Sequence, residues 1–326
     1  MKLIARSGLL RTAFRNTRTP IGILALVAIA LACSTGTTSA PAASQYGPWS
    51  DKVVIVGVDL PSDRTLGRFP YSRSAYARLV DKLSAAGAAV VAFDIAFDLA
   101  RDPSGDDAFH ESLVASKVPI ILGYGAAGLK GGNGFYMMTG EDQLPNWRFR
   151  CADPACSSPI PAIHLASTQA LMDDRNVVTQ VPMVIVPRCR ALATCAVAHL
   201  APLSYSAYAL QTGAPLALAP ATKQVNSPTW SQPLSVDSRG AATVRFAGHP
   251  GDFERHGQYF SLGAVLDGSV PLSRFKDKVV VVGGYHHPGA VDERLTPTSS
   301  EKMASVEIHA NVIAMFLSQS WVRVSK

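Results

Sequence analysis

Two aspartates end two strong apolar runs between residues 51 and 100. Asp59 closes Val53-Val54-Ile55-Val56-Gly57-Val58, and Asp94 closes Val90-Val91-Ala92-Phe93. If the runs are neighbouring strands of an open α/β sheet, both carboxylates stand at the strand ends, where such sheets bind ligands. Arg73 follows the first run and Asp292 follows a third, Val279–Val282. Together the four residues make a candidate polar pocket for a small molecule or a cation. The competing reading is structural: strand-end aspartates cap helices and tie loops to backbone amides.

Other chemistry-bearing groups are weaker. Gly123-Tyr124-Gly125-Ala126-Ala127-Gly128 has the spacing of a dinucleotide fingerprint. A working fingerprint opens a helix and has an acid about twenty residues on; here Lys130-Gly131-Gly132-Asn133-Gly134 comes next, so a loop is expected. His286-His287 with Asp292 and Glu293 resembles a metal cluster, but adjacent residues in extended chain point apart, and an exposed loop is expected instead. His309 reads as a structural histidine. G-x-S-x-G, H-E-x-x-H and the P-loop are missing from the sequence. Binding rather than catalysis is therefore expected, with no cofactor and no resident metal.

The elements that must hold these residues can be read from the apolar pattern. Continuous β-branched runs at 53, 89–93, 118–122 and 279–282 read as strands covered on both faces, as in a parallel sheet. Ala75, Tyr76, Leu79, Val80 and Leu83 share one helical face, with Ser72 or Ser74 as N-cap and Gly87 as the stop. Ser104 and Asp107 have capping-box spacing for a helix carrying Phe109 and Leu113. Strand and helix alternate, so the expected fold class is α/β: a mainly parallel sheet flanked by helices. From Gly123 to about Pro161 the periodicity disappears, which reads as a long insertion. Further on, a strand is expected over 181–186, a helix over 202–211 and a closing helix over 306–317. Leu234–Val236 and Thr243–Phe246, joined through Asp237-Ser238-Arg239-Gly240, read as a β-hairpin.

Charge and cysteine usage bear on location. The net charge of +6 owes five charges to Lys2, Arg6, Arg11, Arg15 and Arg18, and +1 remains after Cys33. No nucleic-acid patch is evident. Residues 1–20 read as a basic cytoplasmic leader, 21–33 as an apolar signal or anchor segment and 34–50 as a Ser/Thr/Ala/Pro tether. The remainder, 51–326, reads as one domain. Thirteen apolar residues fall short of the roughly 17–25 of a transmembrane helix, so cleavage, anchoring and lipidation at Cys33 all stay open. The positive flank puts the rest of the chain outside the inner membrane. Cys151/Cys156 and Cys189/Cys195 form two close pairs, compatible with disulfides in an oxidising compartment that would staple the insertion. Their spacing is not that of a usual zinc site.

Four blocks occur in a telling order. These are Val53–Asp59 with Gly67-Arg68-Phe69-Pro70-Tyr71-Ser72-Arg73; Gly87–Phe97; Tyr259–Gly268; and Phe275–Gly284 leading to Val306-Glu307-Ile308-His309-Ala310-Asn311. In this combination they resemble the type-two CHASE domain, a sensory module of bacterial membrane receptors, over about residues 51–319. The resemblance implies an extracytoplasmic domain that responds to a small-molecule or envelope ligand. It also implies a homodimer or a separate transmembrane signalling partner. Receptors of the family continue into membrane helices and a cyclase, kinase or phosphatase, whereas this sequence runs to Lys326 without them. A stand-alone subunit or a truncated receptor is therefore expected. The alternatives are an envelope scaffold and, less favoured, a metal-dependent secreted enzyme using the strand-end carboxylates.

Overall fold

Val53–Val58 (β1) is buried at every position, as a run of apolar residues must be when both its faces are covered. The computed structural model describes residues 51–321, apart from 127, 133, 139–141, 144, 153–158, 187–199, 215–223 and 291. After β1 come α1 (Leu60–Leu66), α2 (Arg73–Ala86), β2 (Val90–Asp94), α3 (Pro103–Ala115), β3 (Ile120–Ala126) and β4 (Ile163–Ser167). Next are α4 (Leu203–Thr212), β5 (Tyr259–Ser261), α5 (Leu262–Asp267), β6 (Val279–Gly284) and α6 (Ser305–Ser318). The strands lie side by side in the order β5–β1–β6–β2–β3–β4, every pair parallel. A two-residue antiparallel strand, Asp142–Gln143, pairs with the end of β3.

Strand alternation sorts the side chains into two layers. Val54, Val56, Val91, Phe93, Ile120, Leu122, Val280 and Val282 face α2, α3 and α5. Val53, Ile55, Val90, Ala92, Ile121, Val279 and Val281 face α4 and α6. The expected face of α2 is buried throughout, Ser72 is its N-cap and Gly87, at φ 70°, ends it. Burying such Leu and Val side chains contributes about 1.5–3 kcal/mol each. A third apolar cluster joins the far end of α6 to Tyr205, Tyr208, Val225 and Leu234.

The α/β class with helices on both faces of a mainly parallel sheet holds. Three local expectations do not. The hairpin of 234–236 with 243–246 is not formed. Leu234–Ser235 pairs with Gln224–Val225, while Ala241–Thr243 pairs with Val178–Pro182. The Asp237 carboxylate does make the turn, accepting from the Arg239 and Ala241 amides, but the strands diverge to separate partners. The strand expected over 181–186 is two strands in different sheets, Val178–Pro182 and Ile185–Val186. The cap of α3 is Asp102, whose side chain accepts from the Gly105 amide with Pro103 between them, rather than Ser104. A hairpin forms instead at Glu293–Thr296 with Ser299–Ala304. Of the four paired cysteines, Cys151 is described and buried. Cys156, Cys189 and Cys195 lie outside the described residues, as do Cys33 and the segments 1–20, 21–33 and 34–50.

Candidate functional site

Asp94 ends β2 at the carboxyl edge of the sheet, where β6 lies between it and β1. The chain leaves β2 towards α3 on one face of the sheet and leaves the neighbouring β6 towards α6 on the other, so a crevice opens between these two strand ends. A cleft of about 180 Å³ opens there, lined by Asp94, Gly284, Thr168, Gln169, Ala290, Asp292 and Ser305. Thr168 and Gln169 come directly after β4. Ser305 is the first residue of α6, and its amide donates to the Asp292 carbonyl at 2.7 Å.

Around Asp94 the protein supplies few donors. The Ser305 side chain lies beside its carboxylate in the cleft, and the His309 Nε2 stands 3.6 Å away on the next turn of α6. Burial raises the Asp94 carboxyl above its ordinary value and Asp292 adds to this, against the lowering influence of His309 and Ser305. The Nδ1 of His309 has no hydrogen-bond partner among the described residues. Asp292 is half exposed on the rim and pairs with Arg294.

Asp59 is placed differently. It is the N-cap of α1, accepting from the Ser62 amide at 3.0 Å and the Ser62 hydroxyl. The Ser261 hydroxyl donates to it at 2.8 Å, and the Tyr259 hydroxyl also donates. Four donors saturate this buried carboxylate and fasten α1 to the edge strand β5. Arg73 lies inside the protein on the α2–α3 side. Its Nε is 3.7 Å from the buried Asp106 carboxylate. Its guanidinium sits 4.4 Å over the Phe97 ring and donates to the Leu99 carbonyl at 3.2 Å. Of the four candidates, Asp94 and Asp292 therefore share the cleft; Asp59 and Arg73 belong to other networks.

The histidine pair does point apart, but through a left-handed turn at His286 rather than through extended chain, and its expected exposure holds for one member alone. His286, at φ 50°, faces Glu254 at 4.0 Å. His287 is buried, with its Nε2 3.3 Å from both Asp63 oxygens and its Nδ1 accepting from the Gly289 amide. The Phe69 ring, 5.2 Å away, packs beside it and keeps water off. The glycine-rich stretch after residue 123 is strand through Ala126 rather than the expected loop.

On α6 the spacing Glu307, His309, Asn311 has a physical sense. Residues four apart share a face, and Glu307 and Asn311 both grip the segment 247–253. Asn311 Oδ1 accepts from the Ala247 and Gly248 amides at 3.0 Å each. Glu307 accepts from the Gly251 amide at 2.9 and 3.1 Å. His309, between them, turns to Asp94. Burial pushes the Glu307 carboxyl up to about 7, opposed by the backbone donors of Gly251 and Phe253.

Sequence reasoning missed Thr168, Gln169, Ala290 and Ser305. Ser305, directly before the Val306-Glu307-Ile308-His309 block, carried a signal as the start of the closing helix. Thr168 and Gln169 carried none, because β4 was not evident in the pattern. Among the described residues no three His, Cys, Asp or Glu side chains group to hold a metal ion. No helix there is long and apolar enough to cross a membrane.

The family model of the CHASE2 domain matches residues 24–326. No curated protein and no solved structure matches the chain.

Proposed function

The chain belongs to the CHASE2 family of extracellular sensory domains, and from that premise we propose that it acts by ligand-dependent conformational change on the outer side of a bacterial membrane. The basic leader and the apolar segment 21–33 direct it there, with cleavage, anchoring and lipidation at Cys33 as the alternatives. Local closure of Cys151 with Cys156, and of Cys189 with Cys195, suits that oxidising location. A homodimer or a separate membrane partner reads the change.

One observation carries the reading: the polar cleft and the base of α6 are the same place. Ser305 lines the cleft, and α6 then runs back over Val281, Val279 and Val53 towards the amino edge of the sheet. Its 14 residues span about 21 Å, close to the length of a six-residue strand. A ligand touching Ser305 or Asp94 therefore acts on an element that ends near the point where the chain enters the domain. Differential affinity for two positions of α6 is what a sensor needs, typically about 1–3 kcal/mol of coupling.

The test is a thermal-shift screen of small polar molecules against the full chain and against Thr168→Trp, which fills the cleft from a loop position. A specific ligand should raise the melting temperature of the parent by mass action and leave the variant unmoved. A ligand that stabilises both equally binds elsewhere, and the cleft then loses its role.

A further inference from the structure

We infer that the ligand of this cleft is a small protonated amine, held by Asp94 and steered by Asp292. The amine assignment rests on the proposed role of the cleft as the ligand site, and three observations lead to it.

First, the two strand-end aspartates are treated oppositely by the protein. Asp59 is given four donors. Asp94 has the Ser305 side chain and a histidine 3.6 Å away. A largely buried carboxylate with spare acceptor capacity is costly unless something donates to it, and the cleft is the open direction. Second, the lining supplies no positive charge. Asp94 and Asp292 are its charged members, and Thr168, Gln169 and Ser305 are its neutral polar ones. Arg294, beside this rim, is turned to Asp292. Arg294 and His309 offset part of that negative charge from outside the lining; the faces the two carboxylates turn to the cleft still favour a cation over an anion.

Third, the ligating groups do not suit a bare metal ion. Two carboxylates with hydroxyls fall short of the oxygen-rich cage of calcium, and the described residues hold no three-ligand cluster. An ammonium group asks for less: three acceptors around one nitrogen. Asp94, the Ser305 hydroxyl and the Thr168 hydroxyl or Gln169 carbonyl supply that number, and the cleft volume leaves room for a short carbon chain. Binding there sets a positive charge beside the carboxylate that His309 of α6 faces. The helix thus senses occupancy through its own histidine.

The experiment uses the full chain with ethanolamine, tetramethylammonium, glucose and magnesium chloride as probes, at constant ionic strength. Ethanolamine should raise the melting temperature saturably, and tetramethylammonium, which has no N–H, should not. Asp292→Asn, on an exposed rim position, should weaken ethanolamine about threefold, as for a partly screened charge. Asp94→Asn should abolish the effect; if it does not fold, Ser305→Ala, expected to weaken binding about tenfold through one lost hydrogen bond, takes its place. A saturable shift with glucose and none with ethanolamine overturns the amine assignment and leaves the cleft as the ligand site. A shift with magnesium that Asp94→Asn or Ser305→Ala removes overturns it in favour of a metal. No shift with any probe, together with no hit in the wider screen, overturns both readings.

Discussion

Glu307 is a side chain whose ionisation opposes folding. It is 1% exposed, and its partners are backbone amides rather than a cation in hydrogen-bond contact. Its carboxyl is pushed up from an ordinary 4.5 to about 7, so between those values the native protein holds a proton that the unfolded chain has lost. Stability from this group is therefore present below pH 4.5, falls as pH rises to about 7 and levels beyond it. The change is on the order of 3 kcal/mol. Glu307→Gln should flatten the fall: chemical denaturation from about pH 5 to about pH 8 should show parent and variant diverging across that window. Identical slopes would mean the carboxylate is better solvated than its burial implies. Asp59 and Asp94 make the complementary point. Both sit at the end of an apolar strand, yet one is consumed by capping and the other faces open space. Neighbours far along the chain, Tyr259 and Ser261 against Ser305 and His309, decide which.

At the scale of elements, α6 is the hub. Its sheet-facing side packs Val306, Ala310, Ile313 and Ala314 on β1 and β6, while Glu307 and Asn311 reach sideways to 247–253. Asn311→Ala would strand two amides, each costing about 1–3 kcal/mol when left unsatisfied. The variant should lose about 3 kcal/mol. Hydrogen exchange at residues 247–257 should quicken well before exchange in the central strands. Uniform acceleration across the sheet would instead mark the segment as part of the main cooperative unit. The close fit also explains Gly283. A Cβ there would lie 2.9 Å from Val306 Cβ and 3.2 Å from Asp94 Cβ, so a glycine lets helix and strand approach just beneath the cleft.

For the whole molecule, the sheet has a cleft edge and a chain-entry edge, and α6 spans the two. Beyond its end Trp321 packs edge-on against Trp230 at 4.6 Å, and Trp230 stacks on Phe316. Gln319, just past α6, hydrogen-bonds the Thr229 carbonyl and the Ser231 amide. A shift of α6 started at Ser305 must disturb this aromatic cluster. In a variant retaining Trp230 and Trp321, with Trp49 and Trp147 replaced by Phe, ethanolamine should change the indole emission saturably, with the same midpoint as the thermal shift. Thermal stabilisation without any spectral change would confine the ligand's effect to the cleft and remove α6 from the output.

Much of the architecture was legible because its causes are local. Runs such as Val279–Val282 are too apolar to be anything but doubly covered strands. The 75–83 stripe is helical by spacing, and Ser72 and Gly87 bound it by cap chemistry. The middle of the chain was opaque for the opposite reason: strands of two or three residues, such as Leu234–Ser235, have no period to read, and the partners that stabilise them are distant. That logic extends to the site. The sequence alone determined the fold class, the family resemblance and the presence of Asp94 at one strand end and Asp292 after another. Only the tertiary structure decided that Asp59 is a cap, that Arg73 is buried against Asp106 and that Thr168, Gln169 and Ser305 complete a cleft. A carboxylate's role depends on how many donors surround it, and those donors are brought together by packing rather than by sequence proximity.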